Sequence, residues 1–276
     1  MSALPAPIVP TTAAQRLGWM FSDGWTLAQG NLIGLVRNPA ALIGAMLYPL
    51  IMVLMFGYVF GSAMTVAGGG DYREFLMPGM FAQTMAVGVG TTIIVVAQQS
   101  ARGVTDRYRS MPVSQSGIVL GRALADMVGS AIELAVLVGC GLLIGWNWNN
   151  GPGKALAAIG LLFLLRFSLV WVGIYLGLRL TPEAAGASWM VLLPLTMTAS
   201  TFASPSQMPA VLGFVAEWNP VSATVNACRE LFGNPGWGGD SWAAQHAVLL
   251  AIGWPVLVTA IFLPLSARTY RRLDRK

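Results

Sequence analysis

The chain has 276 residues, 55% of them hydrophobic and only 10% charged, with mean hydropathy +0.65 and a formal net charge of +5. A soluble domain carries about 25% charged residues, so this composition excludes one. Apolar runs of about 20 residues recur and suit a hydrocarbon core about 30 Å thick, whereas the alternating strands of an outer-membrane barrel are not seen.

The N-terminal stretch MSALPAPIVPTTAAQRLGWM lacks a basic segment followed by an apolar one. No cleavable signal peptide is expected, and the first apolar span takes over targeting. Across 15–36, Leu17, Phe21, Trp25, Ala28, Leu32 and Leu35 recur at steps of three or four. That spacing draws an apolar stripe on a helix, and Trp19 and Trp25 suit the inner membrane surface. Asn38-Pro39 ends the helix and turns the chain into the bilayer.

Six spans are predicted, at 40–60, 75–97, 118–144, 155–178, 184–202 and 244–265. With both ends inside, the internal segments hold twelve of the basic residues, and the external ones hold only Arg73, Lys154 and Arg229. This asymmetry fixes the orientation. Between the last two spans, 204–241 carries four prolines around AVLGFVAEW. That run is too short to cross and apolar enough to enter the membrane, so a re-entrant or interfacial helix pair is expected. The fold class is therefore an all-α polytopic membrane protein. A cytoplasmic leader (1–38), a transmembrane domain (39–266) and a basic cytoplasmic tail (267–276) divide it.

Catalytic and nucleotide motifs fail. NNGPGKA near 149–155 has no glycine at the P-loop position and Ala155 where a hydroxyl would hold Mg²⁺. The one histidine, His246, and the two cysteines, Cys140 and Cys228, give no metal cluster. Ionisable residues inside spans are costly, which singles out Arg122, Asp126, Glu133 and Arg166. Asp126 lies one turn after Arg122 and can pair with it, and Glu133 and Arg166 reach similar depth on adjacent spans. These residues read as a structural ion pair, a proton relay or a substrate contact. Methionines and aromatics suit a surface that accepts varied apolar molecules. A candidate path takes Met46, Met52, Met55, Phe56, Phe60, Met77, Phe81, Met85, Met197 and Phe202. The five GxxxG pairs match the about four that chance gives for 32 glycines, so they carry no expectation.

Between the second and third spans stands GVTDRYRSMPVSQSGIVLGR, from Gly103 to Arg122. With YREFLMPGMFAQTM (72–85) and MPAVLGFVAEWNPVSATVNACRELF (208–232), it resembles ABC-2-type transporter permeases of the daunorubicin/doxorubicin-resistance type of actinobacteria. The resemblance runs from about residue 38 onward. It implies a non-catalytic transmembrane subunit of an exporter for drugs, antibiotics or lipid-like compounds, paired with a second permease. Two copies of a separate ATP-binding subunit would dock beneath, holding the MgATP, with no cofactor in this chain. Arg102, Gly103, Asp106, Arg107, Tyr108, Arg109, Ser110, Met111 and Pro112 would then couple to the ATPase, and the amphipathic leader would be the family's interface helix. Gln98, Gln99 and Ser100 depart from the acidic residue many members carry before this loop. Related permeases move lipids, polysaccharides or peptides, and a proton-coupled transporter working through Asp126, Glu133 and Arg166 is the alternative.

Overall fold

A computed structural model describes residues 29, 39–59, 61, 66, 69–102, 115–236 and 241–272. Among them there is no strand. Helix α1 (Pro39–Leu54) continues into a π-helical turn, Met55–Val59; α2 is Tyr72–Ala101, α3 Gln115–Leu143 and α4 Gly151–Gly177. Two short helices follow, α5 (Pro182–Ala187) and α6 (Trp189–Met197), then α7 (Ala210–Trp218) and α8 (Pro220–Phe232). The chain closes with α9 (Trp242–Gln245) and α10 (Ala247–Arg272).

The helix starts are written in the sequence. Asp71 caps α2, its carboxylate accepting from Arg73 N–H at 2.9 Å, with Glu74 in the first turn. Asn219 caps α8 through Val221 N–H at 2.8 Å. Gly233, left-handed at φ +74°, ends α8 in a Schellman-like turn in which Asn234 N–H reaches Arg229 O at 2.9 Å. The NNGPGKA stretch serves as the start of α4, with Gly151 at φ +82° and Pro152 in the first turn.

Four helices are long and apolar enough to cross a membrane: α2, α3 over Leu120–Leu143, α4, and α10 over Ala247–Tyr270. Where the first span is expected stand α1 and its π-turn, a shorter apolar stretch among the described residues. The fifth is broken into α5 and α6. Ser188 stands at the break, where its hydroxyl donates to Ala185 O at 2.6 Å, and Pro194 lacks the N–H that would bond one turn back. The expected helix pair after it is present as α7 and α8. The amphipathic leader lies outside the described residues, apart from Gln29.

Helix α2 is the centre of the bundle, buried around its circumference from Phe75 to Ala86. Helix α4 packs along it, α10 packs on the far side of α4, and α8 sits among all three. Two glycines allow the closest approach. A Cβ on Gly177 would stand 2.6 Å from Val96 Cβ and 2.8 Å from Ile93 O, and one on Gly173 would stand 2.8 Å from Thr92 Cβ. This GxxxG pair therefore does carry a helix contact, unlike the expectation from counting glycines. At one end of the bundle, Phe81, Trp146 and Phe232 meet edge to face at 5.0–6.2 Å, and Trp146 Nε1 donates to Asn234 Oδ1 at 2.9 Å. Helix α10 is mostly exposed through Leu249, Ile252, Val256, Leu257 and Ile261, and α1 exposes Ile43, Leu47, Ile51 and Leu54.

Candidate functional site

Three of the four span ionisable residues, Arg122, Asp126 and Arg166, assemble where α2, α3 and α4 cross. Asp126 Oδ1 takes Arg122 Nη2 at 3.1 Å, and its Oδ2 faces Arg166 Nη2 at 3.8 Å. Thr92 donates its hydroxyl to Asp126 Oδ2 at 2.7 Å and accepts from Arg166 Nη2 at 3.2 Å. Arg166 Nε reaches Ser130 Oγ at 2.8 Å. The third nitrogen, Nη1, occupies the space left by the missing side chain of Gly88, where a Cβ would stand 2.7 Å away. One carboxylate and two hydroxyls thus hold Arg166 inside the bundle, as buried charge requires.

Glu133 makes no direct contact with this cluster, although its charge acts on Arg166 from a greater distance. The expected pair with Arg166 does not form, because Asp126, seven residues earlier on α3, has taken the guanidinium. Glu133 instead lines a small cleft between α1, α2 and α3, with a cavity volume of about 10 Å³, together with Met46, Pro49, Leu50 and Thr84. The candidate path residues divide. Met77, Phe81 and Met85 are wholly buried in the central core. Phe56 of the π-turn packs on Phe202 with ring centroids 4.5 Å apart, and Met52 packs beside the core. Met55 and Met197 are exposed. Phe60 lies outside the described residues.

Arg229 shows what a positive-inside count cannot see. Tallied as an external basic residue, it is fully buried on α8. Its Nε donates to Phe75 O at 2.9 Å, and Nη2 donates to Ser200 O at 2.9 Å and Thr201 O at 3.2 Å. Its guanidinium carbon sits 3.5 Å from the Phe75 ring centre. Tyr72 O–H bonds Phe202 O at 3.1 Å beside it, and a Cβ on Gly79 would meet Thr201 Cα at 2.9 Å. Arginine within an otherwise apolar, amphipathic helix that begins with Asn-Pro was the available signal. His246 stacks on Trp242 at 4.5 Å, and Trp242 on Trp218 at 6.1 Å. Among the described residues no group of three His, Cys, Asp or Glu could hold a metal ion.

The geometry of the described residues is that of a scaffold with a polar hub. The ABC-2 type transporter family model matches residues 23–232, from the leader through the end of α8. The chain belongs to the ABC-2 type transporter family. It is 32% identical over 236 residues to the daunorubicin resistance ABC transporter permease protein DrrB1 of Streptomyces coeruleorubidus, covering 84% of this chain and 80% of that protein. It is 26% identical over 245 residues to the putative transport permease ycf38 of Cyanophora paradoxa, covering 86% and 84% of the two chains. An ABC transporter G family member 20 of Dictyostelium discoideum matches at 27% over 203 residues, 71% of this chain and 27% of that longer one. As an ABC-2 family member the chain is a multi-pass membrane protein whose relatives are named as permeases. Arg102 closes α2 as its C-cap and is exposed. The other residues expected to couple this ABC-2 chain to an ATPase, Gly103, Asp106, Arg107, Tyr108, Arg109, Ser110, Met111 and Pro112, lie outside the described residues.

Proposed function

We propose that this chain is the membrane half of an ATP-driven exporter that moves hydrophobic or amphipathic compounds out of the cell. The observation that carries the reading is the placement of the charged segment 103–114. In the sequence it connects α2 to α3, two long apolar helices, in a family of ABC permeases, and the positive-inside bias supports a cytoplasmic position for it. The Thr92–Asp126–Arg166 cluster ties those two helices to α4 a few turns away. A push delivered by a docked ATP-binding subunit at Asp106, Arg107 and Tyr108 therefore reaches three helices together. Drug export is suggested by the name of the Streptomyces relative.

In this reading α1 with its π-turn and the broken α5–α6 segment complete six spans, with both ends in the cytoplasm. Helices α7 and α8 form the external re-entrant pair. Two permeases assemble with two ATP-binding subunits that hold MgATP. Met52, Met55, Phe56, Phe202 and Met197, contributed by the first and fifth segments, line the path toward the outside. The test is to purify the tagged chain gently and ask whether an ATP-binding subunit accompanies it. Sealed vesicles carrying the pair then export a fluorescent hydrophobic compound with MgATP. Export driven by a proton gradient without ATP, with no such subunit recovered, overturns the proposal in favour of a secondary transporter.

A further inference from the structure

Helix α2 turns one narrow stripe toward the broken fifth segment. Tyr72 on that stripe bonds Phe202 O, and a Cβ on Gly79 would stand 2.9 Å from Thr201 Cα. Farther along, a Cβ on Gly90 would stand 3.1 Å from Leu192 Cδ1 and from the Trp189 ring. Gln83 and Ala86 fall between these two glycines at steps of four and three, so both side chains face α6. Ala86 is small and suits the close approach. Gln83 does not: it is 1% exposed, and neither its amide oxygen nor its amide nitrogen has a hydrogen-bond partner among the described residues. The hydroxyls of Ser200 and Thr201, fully buried where the seam ends, are unpartnered as well. Buried polar groups are nearly always paired, and each exception calls for a physical reason. The seam between α2 and α4 is the contrast, because there Thr92 bonds both Asp126 and Arg166.

Helix α6 is also held only at its two ends. On one side, Ala185 of α5 is buried with Val89, Ile93 and Ala97 of α2. On the other, Arg229 fixes the carbonyls of Ser200 and Thr201. Between these anchors the helix is interrupted at Ser188, lacks a backbone bond at Pro194, and leaves Met190, Val191 and Leu195 exposed on its far face.

We propose that α6 lifts from α2 during the working cycle, and that the gap is a water-accessible crevice lined by Gln83, Ser200 and Thr201. In the packed arrangement these groups forgo hydrogen bonds that water would make, and in the lifted one they regain them. That penalty offsets part of the packing between α2 and α6 and brings the two arrangements close in free energy. Gln83 is thus a positioning residue for the moving seam, and its unpaired amide is the mark of the second arrangement. The proposal rests on the reading of the chain as an exporter permease and adds to it which helix contact opens.

The test is thiol modification of the purified full chain in lipid nanodiscs by 2-(trimethylammonium)ethyl methanethiosulfonate, a charged reagent that reaches a thiol only through water. Cys140→Ala removes the half-buried native thiol, and modified peptides are read by mass spectrometry. Ala86→Cys reports the seam between α2 and α6. Val96→Cys, packed on Gly177, reports the seam between α2 and α4. Ala86→Cys should react at least about tenfold faster than Val96→Cys, because only its seam opens locally. Thr201→Cys serves as the reporter where Ala86→Cys does not fold. Gln83→Leu keeps the volume and removes the unpaired amide. It should slow modification at Ala86→Cys by about tenfold and make the chain more resistant to unfolding by SDS. Gln83→Met serves where the leucine variant does not fold. Equal rates at the two seams overturn the proposal, as does a rate at Ala86→Cys that Gln83→Leu leaves unchanged. A Gln83→Leu chain less resistant to SDS than the wild type shows a satisfied amide and overturns it too. Modification at Ala86→Cys in a chain that recruits no ATP-binding subunit upholds the moving seam while the export reading falls. ATP-driven export by a chain whose Ala86→Cys stays silent does the reverse.

Discussion

Asp126→Ala removes the carboxylate that two guanidinium groups share. The Arg122 contact, at 3.1 Å and one turn away on the same helix, is partly exposed and contributes about 0.3–0.5 kcal/mol. Arg166 decides the outcome. Its side chain is 5% exposed, and with Asp126 gone it keeps the hydroxyls of Ser130 and Thr92 in contact and only the more distant Glu133 charge against its own. Leaving a buried charge without its partner costs about 3–5 kcal/mol, so Asp126→Ala should destabilise by that amount. Replacing Arg166 by Met at the same time removes the stranded charge while keeping much of the volume. Apolar replacements of buried pairs are often neutral, so the double variant should recover to within about 1–2 kcal/mol of the wild type. Reversible unfolding of the purified chain in bicelles by increasing SDS, followed by tryptophan fluorescence, measures all four corners of the cycle. A loss below about 1 kcal/mol for Asp126→Ala, or a double variant as unstable as the two single losses added, would refute the assignment of the cluster as one electrostatic unit.

Gly177→Ala should cost about 1–3 kcal/mol by the same assay, because its Cβ would enter the Val96 and Ile93 backbone space. Gly139→Ala, where nothing lies within 4 Å, is the control and should cost nothing. Arg229→Lys keeps the charge and loses the fork that reaches three carbonyls; a loss of about 2–3 kcal/mol is expected. In maleimide labelling of the folded chain, half-buried Cys140 should react and Cys228 should stay silent until the chain unfolds. Burial pushes the Cys228 thiol up, so its reactive thiolate is scarce at neutral pH. Charge reversal at Arg107 and Arg109 together should abolish ATP-dependent transport while the chain still inserts, as read by glycosylation mapping and vesicle uptake; lost insertion would assign the two arginines to topology alone.

Much of the architecture was legible because bilayer depth imposes a length. The apolar runs that became α2, α3, α4 and α10 could be read within a few residues, as could α7, whose nine residues were quoted intact. The fifth segment was harder. Its hydropathy is continuous, but Ser188 and Pro194 act through backbone hydrogen bonds that a hydropathy window does not register. The polar hub was half legible: the Arg122–Asp126 spacing of four positions gave that pair. Which acid meets Arg166 depends on how α3 is rotated against α4, and no linear pattern carries that rotation. Arg229 was misread because a basic residue in a loop-like stretch is ordinarily wet. Carbonyl groups at the ends of other elements, distant in sequence, make it a buried anchor. The value of Gly173 and Gly177 was hidden by number: thirty-two glycines make the motif common, and only the neighbour across the helix contact, Thr92 or Val96, separates a packing pair from a coincidence.

The Arg229 anchor has a consequence for how its end of the bundle tolerates change. Its hydrogen bonds go to the main-chain oxygens of residues 75, 200 and 201, so it reads the path of the chain and not the identity of two of those side chains. Ser200 can be exchanged for another small residue without breaking the bond to its carbonyl. A substitution that re-routes the turn, such as proline at position 201, releases both carbonyls beyond α6 at once. This rim is therefore forgiving of chemistry and intolerant of altered backbone geometry, and random mutagenesis there should return small-for-small replacements together with an absence of proline.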